Sequence, residues 1–151
     1  MRFADALDRS AEEIVRPPNL PLGDYIWQIQ KVEQREVSDT LESLRFTCIC
    51  AGATDSVMPN ELDEYGKVTG VLVNKDFLFN TSPDEAVRFE QTMFNLKRFF
   101  GHCGIDIEKG SPKVWLADCV NTQFMGEIRH RPDKNDPEVV YQEIAKTAPA
   151  A

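Results

Sequence analysis

The residues of this 151-residue chain that could do chemistry are its aromatics and its cations, and both fall on the same stretches. Tyr25, Trp27, Phe46, Phe77, Phe79, Trp115 and Phe124 lie in segments that read as β-strands. Lys31, Arg35, Arg45, Lys67, Lys75, Lys113 and Arg129 lie on or beside the same segments. A surface carrying both types can hold a single nucleic-acid strand, because flat rings stack on bases while cations follow the phosphates. The same rings can instead fill a core, and about two thirds of them are expected to do so. Alternation gives the face of Tyr25, Trp27 and Ile29 to the core and leaves Phe77 and Phe79 open. The candidate binding residues are Trp27, Phe77 and Phe79 for stacking, with Lys31, Arg45, Lys75 and Arg129 for phosphate.

Other chemistry finds little support. His102 and His130 are the only histidines, no serine sits in a nucleophile elbow, and no glycine-rich phosphate loop is present. His102 falls at the end of a predicted helix, where a cationic imidazole caps favourably. Asp63 and Glu64 could hold a divalent ion, but nothing fixes the ligand geometry that metal catalysis needs. Cys48 and Cys50 share a strand face, and Cys103 adjoins His102, so a zinc site with Cys119 is conceivable. The C-x-C spacing lacks the C-x-x-C loop that brings two thiolates to one ion. The expectation is four reduced, buried thiols, no metal, no cofactor and no catalysis.

Charge bears on the partner. Seventeen Lys and Arg stand against twenty-five Asp and Glu, a net charge of −8. Phosphate binding then requires segregated charge. The acids do cluster, at Glu33, Glu36, Asp39 and Glu42 and again at Asp55, Glu61, Asp63 and Glu64. Positive runs occur at Lys97 and Arg98 and at Arg129, His130, Arg131 and Lys134. No apolar run approaches the roughly 20 residues of a membrane span. The first residues, MRFADALDRSAEEIV, lack the apolar stretch of a signal peptide. A soluble, cytoplasmic protein without a membrane partner is expected.

The elements that must position these residues follow from periodicity. Residues 4–15 read as a short helix whose Phe3, Leu7 and Ile14 pack on the domain. Arg16–Gly23, with three prolines, reads as an extended lead-in. Strands are expected from Asp24, over LRFTCIC, and over VTGVLVNKDFLFN, with a long loop at AGATDSVMPNELDEYG. Ser82-Pro83-Asp84-Glu85 combines an N-cap, a proline in the first turn and a capping box. Ala86, Phe89, Met93, Leu96, Phe100 and Cys103 then recur at spacings of three and four, predicting an amphipathic helix over 83–101. KVWLADCV and TQFMGEIRH read as strands, EVVYQEI as a strand or a short helix, and TAPAA as a frayed tail.

This order resembles phage-encoded single-stranded DNA-binding proteins with an OB fold. GDYIWQIQKVE looks like their opening strand and LESLRFTCICAG like the second. KDFLFNTSPDEAVRFEQTMFNLKRFFGHCGI looks like their strand, cap and helix, and FMGEIRHRPDKNDPEVVYQEI like the closing hairpin. The resemblance implies a mainly β fold: a five-stranded OB-like barrel over 23–145, with one long amphipathic helix between the third and fourth strands. Residues 1–22 form a helix and lead-in, and 146–151 a flexible tail. It further implies single-stranded DNA binding without catalysis, in phage or bacterial DNA replication or recombination, in the host cytoplasm for a phage protein. Replication or recombination proteins are the implied protein partners, and a homodimer is compatible. The acidity comes without an acidic C-terminal tail, so tail-borne recruitment of such partners is not expected. The alternative is a protein-interaction or structural accessory module on the same barrel.

Overall fold

Alternating apolar residues form five strands: β1 (Gly23–Glu36), β2 (Leu41–Ala53), β3 (Leu72–Asn80), β4 (Gln123–Pro132) and β5 (Val140–Pro149). The computed structural model describes residues 2–151. The strands make one antiparallel sheet in the order β3-β2-β1-β4-β5. One face carries the core: Tyr25, Trp27 and Ile29 of β1, Phe46 and Cys48 of β2, Phe124 and Ile128 of β4, and Ile144 of β5 are all buried. Two register shifts in β1, between Ile26 and Trp27 and between Ile29 and Lys31, bring Val32 opposite Phe46 and keep apolar residues on this face. Such bulges also sharpen twist, which curls a long strand pair. Gly126 of β4 permits close packing on this face, since a Cβ there would meet Ile144 Cγ2 at 2.6 Å and Trp27 Cδ1 at 3.1 Å.

The sheet is not closed into the expected barrel. Strands β3 and β5 run in the same direction but share no ladder, so both remain sheet edges. Lys75 bridges the gap. It pairs in register with Phe46, which places it on the core face. Its ammonium crosses the gap and donates to the carbonyls of Ile144 (3.2 Å) and Ala145 (3.5 Å) on β5. A side chain thus occupies the acceptors that a neighbouring strand would use.

The open side of the curled sheet is filled by α3 (Ala86–His102), with Leu96, Phe99 and Phe100 buried. Phe99 meets Phe46 and Phe124 edge-on, at 5.0 and 4.9 Å between ring centroids. The helix starts three residues later than the spacing predicts, after a 3₁₀ turn at Pro83–Glu85. Ser82 does not cap it with its hydroxyl. The Ser82 N–H donates to Asn80 Oδ1 (3.0 Å), and the Glu85 N–H donates to the Ser82 carbonyl (3.0 Å). A tight backbone turn has taken the place of the side-chain cap.

Four further expectations are corrected. KVWLADCV is not a strand but lies mostly in α4 (Pro112–Asp118), where Trp115 and, just past its end, Cys119, four apart, are both buried and Pro112 starts the helix. A short apolar run fits either period. The long loop contains α2 (Pro59–Tyr65), again begun by its proline. The tail is not frayed, since Thr147, Ala148 and Pro149 pair with Gly126, Met125 and Phe124. At the other end, the predicted helix is only α1 (Phe3–Leu7) and a 3₁₀ turn at Ala11–Glu13. Phe3, Leu7 and Ile14 are exposed rather than packed. Leu20, fully buried, anchors the lead-in instead.

Candidate functional site

The seam between β3 and β5 is a cleft, and Lys75 and Asp76 line the hollows on both sides of it. The first hollow, about 620 Å³, lies between β3, α3 and the end of β5 and is bordered by Arg98, His102, Lys146 and Thr147. The second, about 410 Å³, lies between β3, the start of β5 and the lead-in and is bordered by Arg16, Arg45, Arg131 and Tyr141. Six Lys and Arg line the two hollows against two carboxylates, Asp76 and Glu143. The remaining chain has eleven Lys and Arg against twenty-three Asp and Glu. The acidic clusters sit at the turn end of the β1–β2 hairpin and on or just before α2, and none of their residues lines the cleft.

Each cation is placed by a different element. Arg45 and Asp76 are register partners on β2 and β3, joined by two bonds of 2.9 and 3.1 Å that raise the Arg45 pKa. Arg131 of β4 reaches Glu143 of β5 at 3.3 Å. Lys75 lies with its ammonium 5.2 Å from the Phe77 ring centroid and 5.9 Å from that of Phe99. Burial lowers its pKa against smaller opposing effects of Cys48, Glu143 and Asp76. Arg16 comes from the proline-rich lead-in. That segment is strapped to β5 by Asn19 Nδ2 donating to the Val140 carbonyl and by the Leu20 N–H donating to Gln142 Oε1, both 2.9 Å. His130 Nε2 donates to the Leu20 carbonyl at 2.7 Å. The prolines keep this stretch extended, so it runs alongside the sheet instead of coiling.

Two polar rings face the cleft. His102 Nδ1 is 2.7 Å from Thr147 Oγ1, and burial, then Arg98, lowers its pKa. It therefore bonds to β5 and does not cap its helix through the side chain. Tyr141 has the Arg16 guanidinium carbon 4.6 Å from its ring centroid and that of Arg131 at 5.6 Å. The neighbouring Asp133 carboxylate raises the Tyr141 pKa.

The structure divides the residues singled out by sequence. Arg45 and Lys75 line the cleft. Lys31 and Arg129 do not, and each is paired with an acid on its own strand, Glu33 at 2.9 Å and Glu127 at 2.6 Å. The three aromatics are corrected from stacking surface to core. Trp27 is 0 % exposed and its indole N–H donates to the Gly126 carbonyl at 3.1 Å. Phe77 packs on Phe46 and Phe99, and Phe79 on Phe89. A ring covered on its faces by protein has none left for a base. Arg16, Tyr141 and Lys146 carry no sequence signal as site residues, and Arg98 and Arg131 stand out only within positive runs. The hairpin closes through the Asp133 N–H donating to the Val139 carbonyl and sets Arg131 opposite Tyr141, a register that the run RPDKNDP does not fix by itself. No local pattern brings Arg16 there.

The thiols are buried, and burial pushes Cys48 and Cys103 up to about 12 and Cys119 up to about 11. Among the described residues no three His, Cys, Asp or Glu side chains converge in a way that could hold a metal ion. No helix among them is long and apolar enough to cross a membrane. No protein-family model matches the chain, and no curated protein is significantly similar to it in sequence.

Proposed function

We propose that the protein binds single-stranded DNA, without catalysis, in the cleft between β3 and β5. The observation that carries this reading is the charge segregation: an acidic chain has placed six cations around one seam and kept its acid clusters away from it. Polyanion binding needs local positive potential, whatever the net charge. The strand order, with the helix between the third and fourth strands, also suits a partly open five-stranded OB barrel, a fold that binds oligonucleotides. On this reading the role is the one the resemblance implies, handling single strands in phage or bacterial DNA replication or recombination.

The test is a titration of an oligo-dT strand of about 30 bases at two salt concentrations, about 50 and about 200 mM. Binding should weaken with salt. Arg16→Ala and Arg131→Ala should each flatten the logarithmic salt slope by about 0.7, while Lys31→Ala and Arg129→Ala leave it unchanged. Absence of salt-sensitive binding at micromolar protein would sink the proposal. The second reading, a protein-interaction module, would then lead. It is favoured by an apolar groove of about 250 Å³ that includes Leu44, Phe89, Met93 and Leu116 and no cation.

A further inference from the structure

The cleft has a surplus of phosphate-binding groups and very little to hold a base. Phe77 and Phe99 reach its walls, but both are buried in the core. Tyr141 is the one Phe, Tyr or Trp ring among the cleft's described lining residues that is not buried.

Asp133 lies near the hydroxyl end of the ring and raises the Tyr141 pKa, and its own carboxylate accepts from the backbone N–H groups of Asn135 (2.8 Å) and Asp136 (3.2 Å). The two guanidiniums near this ring are held very differently. Arg131 is its register partner on β4 and is tied to Glu143. Arg16 has no carboxylate within ion-pair distance among the described residues. The straps of its segment attach at Asn19 and Leu20, three and four residues further on. Its guanidinium is a flat cation lying against an aromatic ring, where a flat nucleobase would lie. An exposed cation–π contact is weak beside base stacking.

We propose that Tyr141 is the base-stacking position of the cleft and that Arg16 is its resident placeholder. A nucleobase takes the place of the guanidinium on the ring, and Arg16 moves to the adjoining phosphate. The inference rests on the single-strand reading of the cleft and adds to it where a base is held and what must move first.

The experiment compares oligo-dT with an abasic sugar-phosphate strand of the same length and charge. Wild-type protein should bind oligo-dT more tightly than the abasic strand. Tyr141→Ala should weaken oligo-dT binding by about tenfold and leave the abasic strand within about twofold. Tyr141→Leu, which keeps apolar bulk without a π face, should behave as Tyr141→Ala does, and it serves if the alanine variant folds poorly. Tyr141→Phe should bind oligo-dT nearly as wild type. Arg16→Ala should flatten the salt slope for oligo-dT by about 0.7, since the displaced guanidinium has gone to phosphate, and change abasic-strand binding little, since no base displaces it there. Equal wild-type affinity for the two strands, or equal loss on both in the Tyr141 variants, would overturn the stacking role while leaving the cleft as a phosphate site. If wild-type protein binds neither strand, the single-strand reading itself falls and takes this inference with it.

Discussion

Lys75 sets the terms at the scale of single residues. Its stem lies among core rings while its ammonium satisfies two carbonyls of a strand that β3 does not pair with. Burial lowers its pKa, so the folded state holds this proton less tightly than the unfolded chain does. The sign follows from linkage: between the lowered value and the ordinary 10.5 the unfolded chain binds more protons, and stability from this group rises with pH. Below that window the charge is a cost to the fold. Replacing a buried charge by an apolar residue of similar size is often neutral or stabilising. Lys75→Met should therefore melt no lower than wild type at neutral pH, yet bind oligo-dT more weakly. The stability difference should move in favour of wild type as pH rises into the window. Chemical denaturation at several pH values checks both points. A large loss of stability at neutral pH would mean that the two bonds to β5 outweigh the burial of the charge.

Among the elements, α3 is the one that the sequence marks most clearly, and the marking is right about the helix and wrong about its start. Its apolar spacing matches the buried Leu96 and Phe100, and its end falls within a residue of the expected position. The capping signature at Ser82-Pro83-Asp84-Glu85 resolves into a 3₁₀ turn held by backbone bonds and by Asn80. Denaturation midpoints separate the two accounts. Ser82→Ala should change stability by less than about 0.5 kcal/mol, since its hydroxyl caps nothing, whereas Asn80→Ala should cost about 1 kcal/mol. The reverse ranking would restore the side-chain cap. The short helices α2 and α4 were not legible because their periods are brief. Seven residues give two turns, and an apolar residue every second or every fourth position looks the same over that length.

The whole molecule is a curled sheet with an unclosed seam, and the seam holds the candidate site. Open edges leave amide groups without a ladder partner. Hydrogen exchange should therefore be slowest in the central strand β1 and faster at the β3 and β5 edges that face each other. Uniform protection of both edges would mean that the barrel closes in solution. Much of this architecture follows from the sequence by itself. Alternation over Tyr25–Ile29 and Leu44–Cys50, the helical spacing from Ala86, and the turn at RPDKNDP determine a mainly β protein with one long helix, because each of those signals is local and repeated. Only the tertiary structure decided which rings are core and which cations meet. Trp27, Phe77 and Phe79 alternate just as exposed stacking rings would, and their burial depends on α3 and the partner strands covering them. Arg16, Arg45, Lys75, Arg98, Arg131 and Lys146 are spread over more than a hundred residues, and they come together only where curling brings β3 beside β5. Sheet curvature is a sum of small twists along every strand, so no stretch of sequence carries it alone.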